Sequence, residues 1–168
     1  MLKKKFKKQA INENEMRSDE VSLDVIREEA EQLYLKGDYF CSEAIIAVIR
    51  KHLDPEMPEQ AIAMSSGFPV GIGGSMCVCG SVSGGVMALG YFFGRVKPKD
   101  KKVKKAMELS KELHDHFKTN YKVLCCKIHC KGMKLGSPDH KSQCAKYTGE
   151  VAWKTAEIIT RELKLTVK

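Results

Sequence analysis

Long hydrophobic runs are missing from this sequence. No apolar stretch in the 168 residues approaches the ~18–20 residues a membrane-spanning helix needs, so no membrane span is expected. The N-terminal MLKKKFKKQAINENEMRSDE is basic, has no apolar core and carries no twin arginine, so it does not read as a secretory leader. A cytoplasmic location is the expectation. Period-two alternation and Asn-Gly hairpin signals are also absent, which argues against a β architecture. Helix-turn-helix, zinc-finger and aromatic RNA-binding signatures are lacking too, so no specific nucleic-acid partner is expected. No Ser/His/Asp set and no paired carboxylates in an apolar setting point to hydrolytic chemistry.

Charge is present but localised. The net charge is +8. Five lysines sit between Lys3 and Lys8, and seven basic residues between Arg95 and Lys105 are opposed only by Asp100. The remainder of the chain is slightly acidic. The basic groups read as a solvated tail over residues 1–18 and one connector, followed by a single domain over 19–168.

The patterning from Val21 onward is helical. Val21, Val25, Ile26, Ala30, Leu33 and Tyr34 follow amphipathic spacing, with Gly37 as a stop and Asp38 as the next cap. Cys41–Leu53 predicts a buried helix. Residues 58–66 predict a short helix, 79–94 a second buried one, and 101–121 a charged one packing through Val103, Met107, Leu109, Leu113 and Phe117. Residues 122–141 predict an irregular segment with one helical turn, and Ser142 caps a last helix. The expected fold is all-α, a bundle of about six helices in one domain with a glycine-rich loop.

Seven cysteines are the unusual content: Cys41, Cys77, Cys79, Cys125, Cys126, Cys130 and Cys144. In a reducing compartment such a set points to metal or thiol redox chemistry rather than a disulfide framework. Two of them lie in GIGGSMCVCGSVSGGVMALG, residues 71–90, which also holds seven glycines. No strand precedes this stretch and no Gly-Lys-Ser/Thr follows, so it reads as a flexible approach to a helix and not as a nucleotide loop. Gly80, Gly84 and Ala88 form a small-residue stripe that permits close helix approach and could serve a homodimer; Gly90 and Gly94 extend it. Cys79 at a helix start, Cys41 after Asp38 and Cys144 after Ser142 would each meet free backbone N–H groups, which favour thiolates. In VLCCKIHCKG, Cys126 and Cys130 share a face if locally helical, and His129 is a nitrogen donor more often structural than ligating. The spacings are those of neither a c-type haem nor a bacterial ferredoxin run.

These residues resemble the C_GCAxxG_C_C family of redox-active proteins. Cys41 in YFCSEAIIAV, the CGSVSG of residues 79–84, Cys126 and Cys144 match its cysteine order, with Ser81 in place of the motif alanine. The resemblance implies Cys41, Cys79, Cys126 and Cys144 as ligands of an iron–sulfur cluster or another thiolate-bound metal such as zinc. Gly80 and Gly84 would lie close beneath it. Electron transfer with a redox partner protein is then the expected role. A metal-free thiol–disulfide protein with Cys79 as attacking thiol and a zinc-bound structural or interaction module are the alternatives. Cys77, Cys125 and Cys130 are extra to the motif.

Overall fold

The computed structural model describes residues 21–168; the expected basic tail, 1–18, lies outside them. Seven helices follow one another: α1 Leu23–Lys36, α2 Cys41–Leu53, α3 Gln60–Ser65, α4 Gly80–Phe93, α5 Val103–Tyr121, α6 Cys126–His129 and α7 Pro138–Leu163. Among the described residues there is no strand; isolated bridges join Val21 to Val167 and Val78 to Cys125. No helix among the described residues is long and apolar enough to cross a membrane. The all-α bundle expected from the sequence is present, with one helix more than expected because the turn at Cys126 forms its own element.

Several boundaries follow from local chemistry. Ser22 caps α1 by accepting from the Val25 N–H, and Gly37 ends it at φ 79°. The expected Asp38 cap does not form. Instead α2 opens one residue after Phe40, whose N–H donates to Glu43 Oε2 at 2.8 Å. The last helix begins earlier than the expected Ser142 cap. Ser137 accepts from the His140 N–H, and Pro138 stands at the first helical position, a start that the missing proline N–H favours. Cys144 therefore lies inside α7, and Cys41 opens α2 rather than following a cap by three residues.

α7 packs most extensively on α1 and also contacts α2, α4 and α5. Fully buried Ile26, Ile45, Ile49, Leu89, Leu113, Phe117, Val151 and Ile159 join these helices in one core. Of the residues expected to pack from α5, Leu109, Leu113 and Phe117 are buried, while Met107 is 66% exposed. At the outer edge of the α5–α7 contact, Arg161 donates to both Glu112 carboxylate oxygens at 2.9 and 2.7 Å.

Close approach of α4 is written in its glycines. A Cβ on Gly84 would stand 2.8 Å from Ser42 O and 2.9 Å from Ser42 Cα in α2. One on Gly85 would meet Leu113, Thr155 and Val151 within 3.0 Å. The small-residue face is thus occupied within the chain. Gly90 faces open space and Gly94 caps the helix, so neither extends that face. α4 starts at the cysteines and runs about 20 Å away from them at 1.5 Å per residue. The basic connector after it, including exposed Lys97, Lys99 and Lys101, is at the far end of the bundle.

Candidate metal and redox centre

The stretch before α4 is a left-handed turn. Val70, Gly71, Ile72, Gly73 and Gly74 all have φ between 53° and 86°, and Met76 adds 56°. Gly71 is obligatory there, since a Cβ would lie 2.5 Å from Cys77 N. Val70 and Ile72 are β-branched, and the left-handed region costs such residues about 1–2 kcal/mol each. The turn is fixed by backbone bonds, among them Ile72 N–H to Phe68 O at 2.9 Å and Met76 N–H to Val70 O at 3.0 Å. It is an ordered turn with stored strain in place of the expected flexible approach.

That turn delivers Cys79 and meets the Cys125–Cys126 segment through backbone pairs. Cys79 N–H donates to Leu124 O at 2.7 Å, Cys126 N–H to Cys77 O at 2.8 Å and Lys127 N–H to Met76 O at 2.9 Å. α2 brings Cys41 alongside: a Cβ on Gly80 would stand 2.5 Å from Cys41 Sγ and 3.0 Å from Phe68 O. Cys144 arrives from the second turn of α7. Cys41, Cys79, Cys126 and Cys144 all line one cavity of about 430 Å3, together with Gly80, Tyr34, Tyr147 and His140.

Hydrogen-bond donors converge on three of these sulfurs. Cys41 receives the Val70 and Ser42 backbone N–H groups. Cys79 receives those of Ser81 and Val82 and the Ser81 hydroxyl. Cys144 receives the Tyr34 hydroxyl and lies 3.7 Å from His140 Nε2. Donors favour the thiolate, but burial opposes it more strongly. Burial, then neighbouring Cys79, pushes Cys41 up to about 12. Burial and Cys130 do the same to Cys126 and Cys144, also to about 12. Cys79 is raised as well, by burial first. A helix start therefore does not make Cys79 the low-pKa attacking thiol that the metal-free thiol–disulfide alternative requires. The set is preorganised for negative charge, and a cation in the cavity would supply the compensation it lacks.

The other cysteines and histidines divide sharply. Cys77 is exposed. Cys125 Sγ lies 3.7 Å from Met76 O, away from the cluster. His129 Nε2 bonds Val123 O at 2.8 Å and its ring stacks edge-on with Phe117 and Tyr147, a structural role. Cys130, extra to the motif, is buried with its sulfur 4.0 Å from Cys126 Sγ. His140, which the sequence does not single out, places a ring nitrogen within 4.8 Å of both Cys130 and Cys144 Sγ. Its signal is the four-residue step to Cys144, legible only once α7 is known to start at Pro138. All seven thiols are free of disulfides.

Neither the curated proteins nor the solved structures give a match to the chain. Residues 39–158, most of the chain and all of the cavity's cysteines, match the family described as "Putative redox-active protein (C_GCAxxG_C_C)", and the chain belongs to that family.

Proposed function

We propose that this protein is a redox protein whose cavity holds a thiolate-bound metal centre, an iron–sulfur cluster, with Cys41, Cys79, Cys126 and Cys144 as ligands. One observation carries the reading. Four cysteines from separate segments line a single cavity, and three of their sulfurs already have hydrogen-bond donors directed at them. An iron–sulfur cluster, when bound, supplies one-electron chemistry.

The chain's own residues do the rest. The Val70, Ser42, Ser81 and Val82 N–H groups and the Tyr34 and Ser81 hydroxyls hold the sulfurs in place and stabilise them as thiolates. Gly80 leaves the space that Cys41 Sγ needs. Phe40 and Leu135, 58% and 49% exposed at the cavity, offer an apolar surface for a redox partner protein.

Serine replacement tests the assignment. In anaerobically purified protein, Cys41→Ser, Cys79→Ser, Cys126→Ser and Cys144→Ser should each lower iron occupancy about tenfold or more. Cys77→Ser and Cys125→Ser should leave it unchanged. Equal occupancy across all six variants would remove the four cysteines from the ligand set.

A further inference from the structure

Cys130 and His140 have no part in the four-cysteine centre, yet both are buried, at 5% and 7% exposure. Cys130, His140 and Cys144 are the one Cys/His/Asp/Glu group among the described residues whose donor atoms lie together at metal-binding spacing, all within 4.8 Å of one another. Cys126 Sγ stands 4.0 Å from Cys130 Sγ, and Cys144 Sγ stands 3.7 Å from His140 Nε2. Around a tetrahedral ion with bonds of ~2.3 Å to sulfur and ~2.0 Å to nitrogen, neighbouring donors are ~3.8 Å apart for sulfur pairs and ~3.5 Å for sulfur and nitrogen. The two observed separations match two edges of such a tetrahedron, and Cys126, which stands outside the Cys130–His140–Cys144 group, is joined to it through Cys130. The four residues form two i, i+4 pairs: Cys126 at the start of α6 with Cys130 at its C-cap, and His140 with Cys144 in α7.

We propose that Cys130 and His140, with Cys126 and Cys144, hold a second thiophilic divalent ion of zinc type beside the centre of the motif cysteines. Cys126 and Cys144 are then bridging thiolates that belong to both positions. When the metal-free chain is loaded with single ions, the six donors serve two four-coordinate positions in this way without any further protein ligand. Charge favours the arrangement: five clustered thiolates in a buried site are better compensated by two dications than by one. No electron is transferred on binding. The Cys130 thiol proton leaves to solvent. The imidazole proton moves from Nε2 to Nδ1, giving up the long 3.2 Å contact in which Gly136 N–H donates to Nδ1. The bridging arrangement rests on the reading that the motif cysteines bind metal; the Cys130–His140 position itself does not.

Cobalt titration of the full chain, made metal-free under anaerobic conditions, tests this. The wild type should bind two equivalents of Co2+, with thiolate-to-cobalt charge-transfer bands and the d–d bands of tetrahedral sites. Cys130→Ser/His140→Gln should bind one equivalent, and Cys41→Ser/Cys79→Ser should also bind one, at the other position. His140→Cys, which keeps a donor at that position, should still bind two equivalents while shifting the d–d bands, and unchanged far-ultraviolet circular dichroism certifies the fold of each variant. One equivalent in the wild type, with an unaltered spectrum in Cys130→Ser/His140→Gln, overturns the second position and leaves the first standing. A single equivalent in the wild type that is lost in Cys130→Ser/His140→Gln but kept in Cys41→Ser/Cys79→Ser overturns the four-cysteine centre and its bridges instead.

Discussion

Gly80→Ala should strip the protein of most of its iron while Gly90→Ala, ten residues along the same helix, leaves the iron untouched. The added methyl at position 80 would sit 2.5 Å from Cys41 Sγ, with Phe68 O at 3.0 Å and Pro69 Cα at 3.3 Å on its other sides. The two backbone contacts leave the sulfur as the atom that moves, and Cys41 is a proposed ligand. Gly84→Ala separates packing from metal binding. Its Cβ meets the Ser42 backbone, which cannot rotate away, so α4 must lift from α2 at a cost of about 1–3 kcal/mol. A methyl added at Gly90 would meet nothing within 4 Å, and replacing a helical glycine there should stabilise by about 1 kcal/mol. Iron content measured beside thermal unfolding reads all three. Full iron occupancy in Gly80→Ala would show that Cys41 is not held where its contacts place it.

The metal-free protein should lose stability steeply above pH 9, and metal should abolish that loss. Cys41, Cys126 and Cys144 are held near 12 in the folded chain against an ordinary 9.0. Between these values the unfolded chain has released thiol protons that the folded chain keeps. Stability is therefore fully present below pH 9 and falls as the pH rises toward 12. The limiting slope is about 1.4 kcal/mol per pH unit for each such thiol. Tyr34 and Tyr147, also held above the ordinary 10.0, add to the fall only at the upper end. In loaded protein the ligands are already thiolates, so the slope between pH 9 and 10 should vanish. Unfolding midpoints of both forms across pH 7–11 provide the comparison. Parallel curves would mean that the cavity thiols do not titrate with folding.

Much of the fold is legible in the sequence because helical periodicity survives in an amphipathic chain. Ile26, Ala30, Leu109, Leu113 and Phe117 fall at core positions by spacing alone, and all are buried. The start of α7 is harder to read because Gly136 and Pro138 resemble loop residues, although Ser-Pro is itself a helix start. A start at Ser142 displaces Cys144 from its true position and hides His140. Gly71, Gly73 and Gly74 signal left-handed backbone, but nothing in the sequence extends it to Val70 and Ile72, since β-branched residues ordinarily signal extended chain and only the surrounding contacts hold them at positive φ. The glycines announce close approach but not which of them make it: Gly85 does and Gly90 does not. Cys130 is not required by the motif; its four-residue step from Cys126 is legible in the sequence, but only the folded chain brings it to His140.

The central claim is that the cavity thiols hold a redox-active metal centre. Iron and acid-labile sulfide content, taken with the optical spectrum of anaerobically purified full-length protein, tests it most directly. The expected result is a brown protein with iron and sulfide near stoichiometry and visible absorption that bleaches on reduction. A colourless protein that stays iron-free after anaerobic reconstitution with iron and sulfide would contradict it.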